Sequence, residues 1–161
     1  MAKKASAGTP ATVELTAQRV EHALHPYDVS PTAPNYGALV AQALGVAPER
    51  VFKTLLAEVD GGLVVGVVPV TGDLDLKALA QAAGGKRATL ADRVAAERSS
   101  GYVRGGISPL GQRKRLPTVV DESARALDLM FVSAGRRGLQ VSLAPADLIR
   151  LTDAVTAVIR T

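Results

Sequence analysis

The stretch VFKTLLAEVDGGLVVGVVPV, residues 51–70, decides the fold. It holds two β-rich runs, 51–59 and 63–70, joined by Asp60-Gly61-Gly62, and a glycine-bearing joint of that length between two apolar runs is a strong hairpin signal. One charge, Lys53, stands among apolar residues near the start of the first strand.

Working outward toward the C-terminus, Asp73 is placed to cap a helix that runs to about Ala83 and ends at Gly84-Gly85. KRATL has room for a single strand, and Asp92 caps a further helix to about Arg98. Gly101 to Pro117 is rich in glycine, proline and basic residues and lacks periodicity; so long an irregular stretch in a compact domain is more often functional than not. The strands TVVD (118–121), LMFVS (129–133) and LQVSL (139–143) follow, with ESARAL as a short helix, AGRRG as a turn, PADLIRL as a last helix and VTAVI as an apolar tail. Toward the N-terminus, Thr9 as cap, Pro10 at the first helical position and Val13, Ala17, Val20 and Leu24 at helical spacing predict a first helix stopped at His25-Pro26-Tyr27. The proline-punctuated VSPTAPN then leads into a short helix, YGALVAQAL, closed by Gly45. Strands outnumber helices, which predicts an α+β fold: a mixed, curved or barrel-like β-sheet surrounded by helices. The expected organisation is a flexible N-terminus over 1–8 and one domain over 9–161.

At 161 residues and 47% apolar composition, the chain can bury one core and is too short for two ordinary enzyme domains. No stretch approaches the roughly 18–20 consecutive apolar residues of a membrane span, and MAKKASAGTP has no apolar region behind its lysines, so a soluble, cytoplasmic protein is expected. The absence of cysteine excludes disulfides, thiolate ligands and a cysteine nucleophile. The net charge of +4 gathers at Lys86-Arg87, Arg113-Lys114-Arg115 and Arg136-Arg137, a pattern that suits a polyanion and equally suits solvated loops. Aromatic residues make up 3% of the chain, which argues against a single-strand binder built on base stacking.

His22 and His25 have no third ligand at metal spacing, the serines lack a nucleophile elbow, and neither Lys53 nor Lys86 sits in a phosphate-binding glycine loop. What remains is Lys53-Thr54, Gly105-Gly106 and the turn from Ser133 to Gly138. From the residues alone two readings of Lys53 stand. Its stem is buried and its head wet, or its ammonium faces a pocket and holds a substrate oxygen beside backbone amides that glycine leaves accessible.

The segments VFKTLL, LVVGVVPVTGDLDLKALA, SSGYVRGGISPLGQRKRLPTVVDE and FVSAGRRGLQVSLAPADL resemble the YbaK family of aminoacyl-tRNA deacylases, relatives of the editing domain of bacterial prolyl-tRNA synthetases. The resemblance runs from Thr9 to about Asp153 and implies that fold. It also implies a trans-editing enzyme that clears Cys-tRNA(Pro), with Cys-tRNA(Cys) as a further substrate. Such an enzyme is a second sieve for an error that one apolar pocket cannot avoid. Carried over by position, Lys53 and Gly106 are catalytic, and Tyr27, Tyr36, Thr54, Ser133, Gly135 and Gln140 bind substrate. Gln140 stands where many relatives carry an acidic residue. Arg113, Lys114, Arg115, Arg136 and Arg137 would grip tRNA phosphates near the acceptor end, and prolyl-tRNA synthetase would supply tRNA identity as a transient partner. Neither metal nor cofactor is implied, because the substrate's own thiol attacks its ester. The alternatives are an Ala-tRNA(Pro) deacylase and a noncatalytic RNA- or synthetase-binding module on the same fold.

Overall fold

The structure, a computed structural model, describes residues 8–161; of the expected flexible segment, residues 1–7 lie outside that range. Among the described residues the order is α1 (Pro10–Ala17), β1 (His22–Pro26), α2 (Tyr36–Leu44), β2 (Phe52–Val59), β3 (Gly62–Pro69), α3 (Leu76–Ala82), β4 (Ala88–Leu90), α4 (Arg93–Ser100), β5 (Thr118–Asp121), β6 (Met130–Arg136), β7 (Leu139–Leu143), α5 (Pro145–Thr152) and β8 (Val155–Ala157). Short 3-10 turns at Pro48–Arg50 and Glu122–Ala126 complete it. The expected α+β architecture is present.

The hairpin forms as its residues dictate. Asp60 (φ 48°) and Gly61 (φ 89°) both take the left-handed conformation that a tight two-strand turn needs. The Asp60 carboxylate then accepts the amides of Lys86 (2.9 Å) and Arg87 (3.0 Å), tying the hairpin tip to the start of β4. β3 is buried on both faces because it is central in a five-stranded sheet ordered β4-β2-β3-β5-β8, antiparallel to β2 and parallel to β5. A second sheet, ordered β1-β7-β6, is antiparallel throughout. A parallel bridge between Val51 and Phe131 joins the two sheets into one curved surface. Its inner face carries the main core, including Phe52, Leu56, Val65, Val67, Val132 and Val141. The outer face is covered in two places, by α2 over Val51 and Phe131 and by α3 with Ile159 over Val68 and Val119.

Three expectations are corrected. The first helix stops at Ala17 rather than His25, since Arg19 turns into the left-handed region (φ 56°) and His22–Pro26 pairs with β7. The apolar spacing misled because an interval of four residues satisfies a strand's period of two as well as a helical turn. Val13 is consequently 59% exposed, while Ala11, Thr12 and Leu15 face inward. The second correction is the α3 cap, which is Asp75, accepting from the Ala78 amide at 3.0 Å; residue 73 is held by the chain end, where the Thr161 amide donates to the Asp73 carbonyl. The third is the apolar tail, which forms β8 alongside β5.

Asp121, at the end of β5, anchors that tail. Its carboxylate accepts the Ser123 hydroxyl (2.6 Å) and the amides of Ser123 (3.2 Å), Ile159 (2.9 Å) and Arg160 (3.1 Å). Burial alone would raise this carboxyl, but the Ser123 hydroxyl and the three amides outweigh it and hold the group below the usual carboxylate range. A depressed folded value means that the contribution is present above the unfolded carboxyl near ~3.9 and is lost as pH falls through the folded value. Asp121→Ala should therefore lower the unfolding free energy by roughly 2–4 kcal/mol in urea titrations near neutral pH. The gap to the wild type should close as the pH of the titration is taken below about 4.

Candidate functional site

Register places the expected residues. In antiparallel pairing, residues directly opposite one another project to the same side, so His25 on β1, Gln140 on β7 and Ser133 on β6 form one row on the outer face. Ser142 and Phe131 form the next row; His25 bonds Ser142 Oγ through Nε2 at 2.8 Å, and its ring lies 5.0 Å from that of Phe131. Val51 faces Phe131 across the sheet junction, and Lys53, two residues further along β2, returns to the same face by the strand period. Lys53 thus stands at the boundary between the part of the outer face covered by α2 and the part covered by α3. Its side chain is 35% exposed and its ammonium lies 3.5 Å from Asp73, a carboxylate that is 89% exposed. So wet a pair holds the lysine loosely.

Tyr27 and Tyr36 close this face from above. Their hydroxyls share a 2.6 Å hydrogen bond, and the Tyr27 amide donates to the Gly138 carbonyl at the tip of the β6–β7 hairpin. Burial first, then the bond to Tyr27, pushes the Tyr36 phenol well above its ordinary value, with the nearby Arg137 charge opposing. Tyr36 is therefore a neutral hydroxyl at any working pH.

Thr54 faces away from Lys53. It pairs with Val67 on the inner side of β2, buried, with no partner for its hydroxyl. Gly106 is buried for a reason different from the expected one. A Cβ there would lie 2.8 Å from the Arg136 and Arg137 backbone, and the Gly106 amide already donates to the Val103 carbonyl at 2.9 Å. Its missing side chain thus admits the chain's own β6–β7 turn, and its amide is not free to meet an ester oxygen. Gly135, at φ 105° in the bulge of β6, is needed conformationally, and its amide donates to Ser133 Oγ at 3.1 Å.

The basic residues separate. Arg136 and Arg137 sit at the hairpin tip beside Gly105 and Gly106, and Arg137 Nε donates to the Arg104 carbonyl at 2.8 Å, which adds Arg104 to this cluster. Arg113 and Lys114 are pinned through their amides to the Ser100 and Ser99 carbonyls at the end of α4. Arg115 turns elsewhere, donating to the Leu151 carbonyl at 3.2 Å and lining a cavity of about 80 Å³ with Glu14, Gln112 and Thr118. A wider groove of about 610 Å³ between Arg125, Leu127, Pro145 and Ile149 contains none of the expected site residues.

Sequence reasoning missed His25 as a member of the row because it takes His25 as the stop of the first helix rather than as part of a strand. Burial lowers its pKa, so the imidazole is neutral at pH 7. It also missed Tyr102, whose hydroxyl donates to the Leu110 carbonyl at 2.6 Å and closes the irregular 101–117 segment on itself. Among the described residues no group of three or more His, Cys, Asp or Glu residues is placed to hold a metal ion.

Comparisons with known proteins agree with this fold. The family model of the aminoacyl-tRNA editing domain matches residues 31–151. A curated protein of Enterococcus faecalis (strain ATCC 700802 / V583), named Cys-tRNA(Pro)/Cys-tRNA(Cys) deacylase EbsC by assignment, is 42% identical over 123 residues, which is 76% of this chain and 75% of its own. Among solved structures, a protein assigned as a trans-editing enzyme for prolyl tRNA synthetase superposes with a TM-score of 0.82, covering 94% of this chain and 95% of that one at 21% identity. The hypothetical protein APE2540 superposes with a TM-score of 0.83, covering 94% and 99% at 24% identity. At those identities the two structures speak for the fold alone.

Gly106→Ala tests the packing reading. It should lower stability by about 1–3 kcal/mol in denaturant titrations, because the new methyl meets backbone that cannot swing aside. An unchanged midpoint would return Gly106 to the role of a ligand-facing glycine.

Proposed function

The chain belongs to the aminoacyl-tRNA editing domain family, and from that premise we propose that it is a trans-editing deacylase that clears cysteine from mischarged tRNA(Pro) and tRNA(Cys). What carries the reading is a half-buried cation, Lys53, beside a row of neutral polar groups, in a chain 42% identical to a relative named for this deacylase activity.

The chemistry asks little of the protein. The cysteinyl thiol attacks its own carbonyl carbon, the ester bond to the terminal ribose breaks, and the thiol proton ends on the departing ribose oxygen. The four-membered thiolactone so formed is opened by water. The protein's share is to hold the ester in a reactive arrangement and to stabilise the charge that grows on the carbonyl oxygen. Lys53 supplies the stabilising cation, and its loose pairing with Asp73 leaves the ammonium able to turn to the substrate. Tyr27 and Tyr36 wall the aminoacyl group, while Ser133, Gly135 and Gln140 form the floor beneath it. Thr54, on the other side of β2, acts through the strand rather than on the ester.

Arg104, Arg136 and Arg137 flank the site and suit the phosphates of the acceptor end; Arg113 and Lys114, fixed by their amides at the end of α4, offer further cations for the same strand, and Arg115 drops out of the set. Such contacts bind without reading sequence, so tRNA identity comes from a transient partner, prolyl-tRNA synthetase. The substrate places the enzyme in the cytoplasm, and no helix among the described residues is long and apolar enough to cross a membrane.

Deacylation of tRNA(Pro) charged with cysteine, alanine or serine, with and without the synthetase, separates the candidate activities. Cysteine should be released fastest, alanine preference would install the Ala-tRNA(Pro) reading, and no release of any would leave a binding module. Lys53→Ala should lower kcat/KM on Cys-tRNA(Pro) by about 100-fold or more with the thermal midpoint unchanged. Arg137→Ala should flatten the dependence of log affinity on log salt by about one, with kcat retained.

A further inference from the structure

Resting on the deacylase reading, we infer that Asp73 is a specificity residue: its carboxylate takes the α-ammonium of the aminoacyl ester whose carbonyl oxygen Lys53 holds, which restricts substrates to esters with a free α-amino group. Among the described residues Lys53 is the one ion-pair partner of that carboxylate, 3.5 Å from Oδ1. The carboxylate is exposed, so a donor arriving from solvent reaches it, and Oδ2 is left for a second cation.

The pattern of charge selects the substrate group. An α-aminoacyl ester carries a carbonyl acceptor and a cationic donor on adjacent carbons, so the two groups that hold them must be neighbours of opposite sign. Among the described residues the other ion pair, Asp147 with Arg150, lies within α5, away from this face.

Strand order then sorts the two substituents of the ester's α-carbon. Val51 has Phe131 beside it on one edge and accepts the Val70 amide on the other at 2.8 Å, so β6 and the joint that follows β3 flank β2 on opposite sides. An ester anchored at Lys53 has Ser133 and Gln140 to one side and Asp73 to the other. The uncharged thiol-bearing side chain suits the polar row, and the ammonium suits the carboxylate.

Although the carboxylate is exposed, its backbone is clasped. The Asp73 amide donates to Thr161 Oγ1 at 3.2 Å, and the Thr161 amide donates to the Asp73 carbonyl at 2.9 Å. Two residues on, the Asp75 amide donates to the carbonyl of the buried Ile159 at 2.7 Å. Gly72 lets this strap lie close: a Cβ there would come within 2.6 Å of Arg160 Cγ and 2.8 Å of the Thr161 carbonyl oxygen. A short side chain on so fixed a stretch presents its charge in one place.

The test compares tRNA(Pro) acylated with cysteine and with 3-mercaptopropionate, which keeps the thiol and ester and lacks the α-nitrogen, each measured against its own spontaneous hydrolysis. The wild type should prefer the cysteinyl ester by about 5-fold in kcat/KM, near the upper end of what a solvated ion pair contributes, and raised salt should shrink that preference. Asp73→Asn, which keeps the shape and removes the charge, should erase the preference by slowing the cysteinyl ester alone, with the thermal midpoint unchanged. Asp73→Glu should restore part of it. Equal preference in the wild type and Asp73→Asn overturns the assignment and leaves the deacylase intact. So does a change shared by both esters, since the carboxylate would then act on Lys53 and not on the substrate. Failure of the wild type to cleave the cysteinyl ester overturns the deacylase reading and this one with it.

Discussion

The Val51–Phe131 bridge is the contact on which the site depends. Without it the β1-β7-β6 sheet and the five-stranded sheet would be two separate surfaces. The bridge fixes the phase of β2 against β6, and since strand side chains alternate with a period of two, phase decides everything that follows. With Val51 beside Phe131, Lys53 comes to the face that carries Ser133 and Gln140, while Phe52 and Thr54 go to the interior. A slip of one residue would bury the ammonium in the main core and turn Phe52 to the substrate. The apolar contacts of Val51 and Phe131 with Val40, Ala41 and Tyr36 make such a slip costly, because α2 would lose the surface it covers. The placement of Lys53 is thus secured by an apolar contact rather than by any bond the lysine itself makes.

That arrangement suits a reaction in which the substrate brings the nucleophile. The outer face is lined with polar side chains: the hydrogen-bonded hydroxyls of Tyr27 and Tyr36, the uncharged His25, Ser133 and the Gln140 amide. Against such a background a half-buried ammonium produces a larger field at a nearby oxygen than it would among competing charges. Asp73 is the carboxylate in reach of Lys53, and its own exposure weakens its claim, so water and substrate compete with it on favourable terms.

Much of the scaffold was legible in the sequence because local signals and tertiary demands coincided. The Asp60-Gly61 turn, the Gly45 and Asp92 caps and the LQVSL strand all formed as read. The failures share a cause. The residues after Ala17, the Asp75 cap and β8 are all decided by pairing with chain more than 30 residues distant, which no local window contains. Of the site, residue types were legible and sidedness was not. Lys53 and Thr54 are adjacent in sequence and face opposite ways, and Arg115 continues the run Arg113-Lys114 yet turns to Leu151. His25 was hidden because four-residue spacing does not distinguish a helix from a strand.

Glycines in the irregular segment and in the β6 bulge stiffen the surroundings of the candidate site through close packing. Gly106 leaves room for the backbone of Arg136 and Arg137, and Gly135 leaves room for the Tyr102 ring and Thr9, either of which a Cβ would meet within about 3 Å. The Tyr102 hydroxyl then fastens the far side of the segment to Leu110, and the Glu14 carboxylate takes the Gly111 amide at 2.8 Å. A segment without regular structure is thereby held at several points against the β6 bulge, and with it the hairpin tip that bears Arg136 and Arg137. Electrostatic stabilisation of a growing charge is effective to the extent that the stabilising groups need not move when the charge appears. Close backbone packing at Gly106 and Gly135 supplies that rigidity to the hairpin tip, while their own amides are spent within the fold.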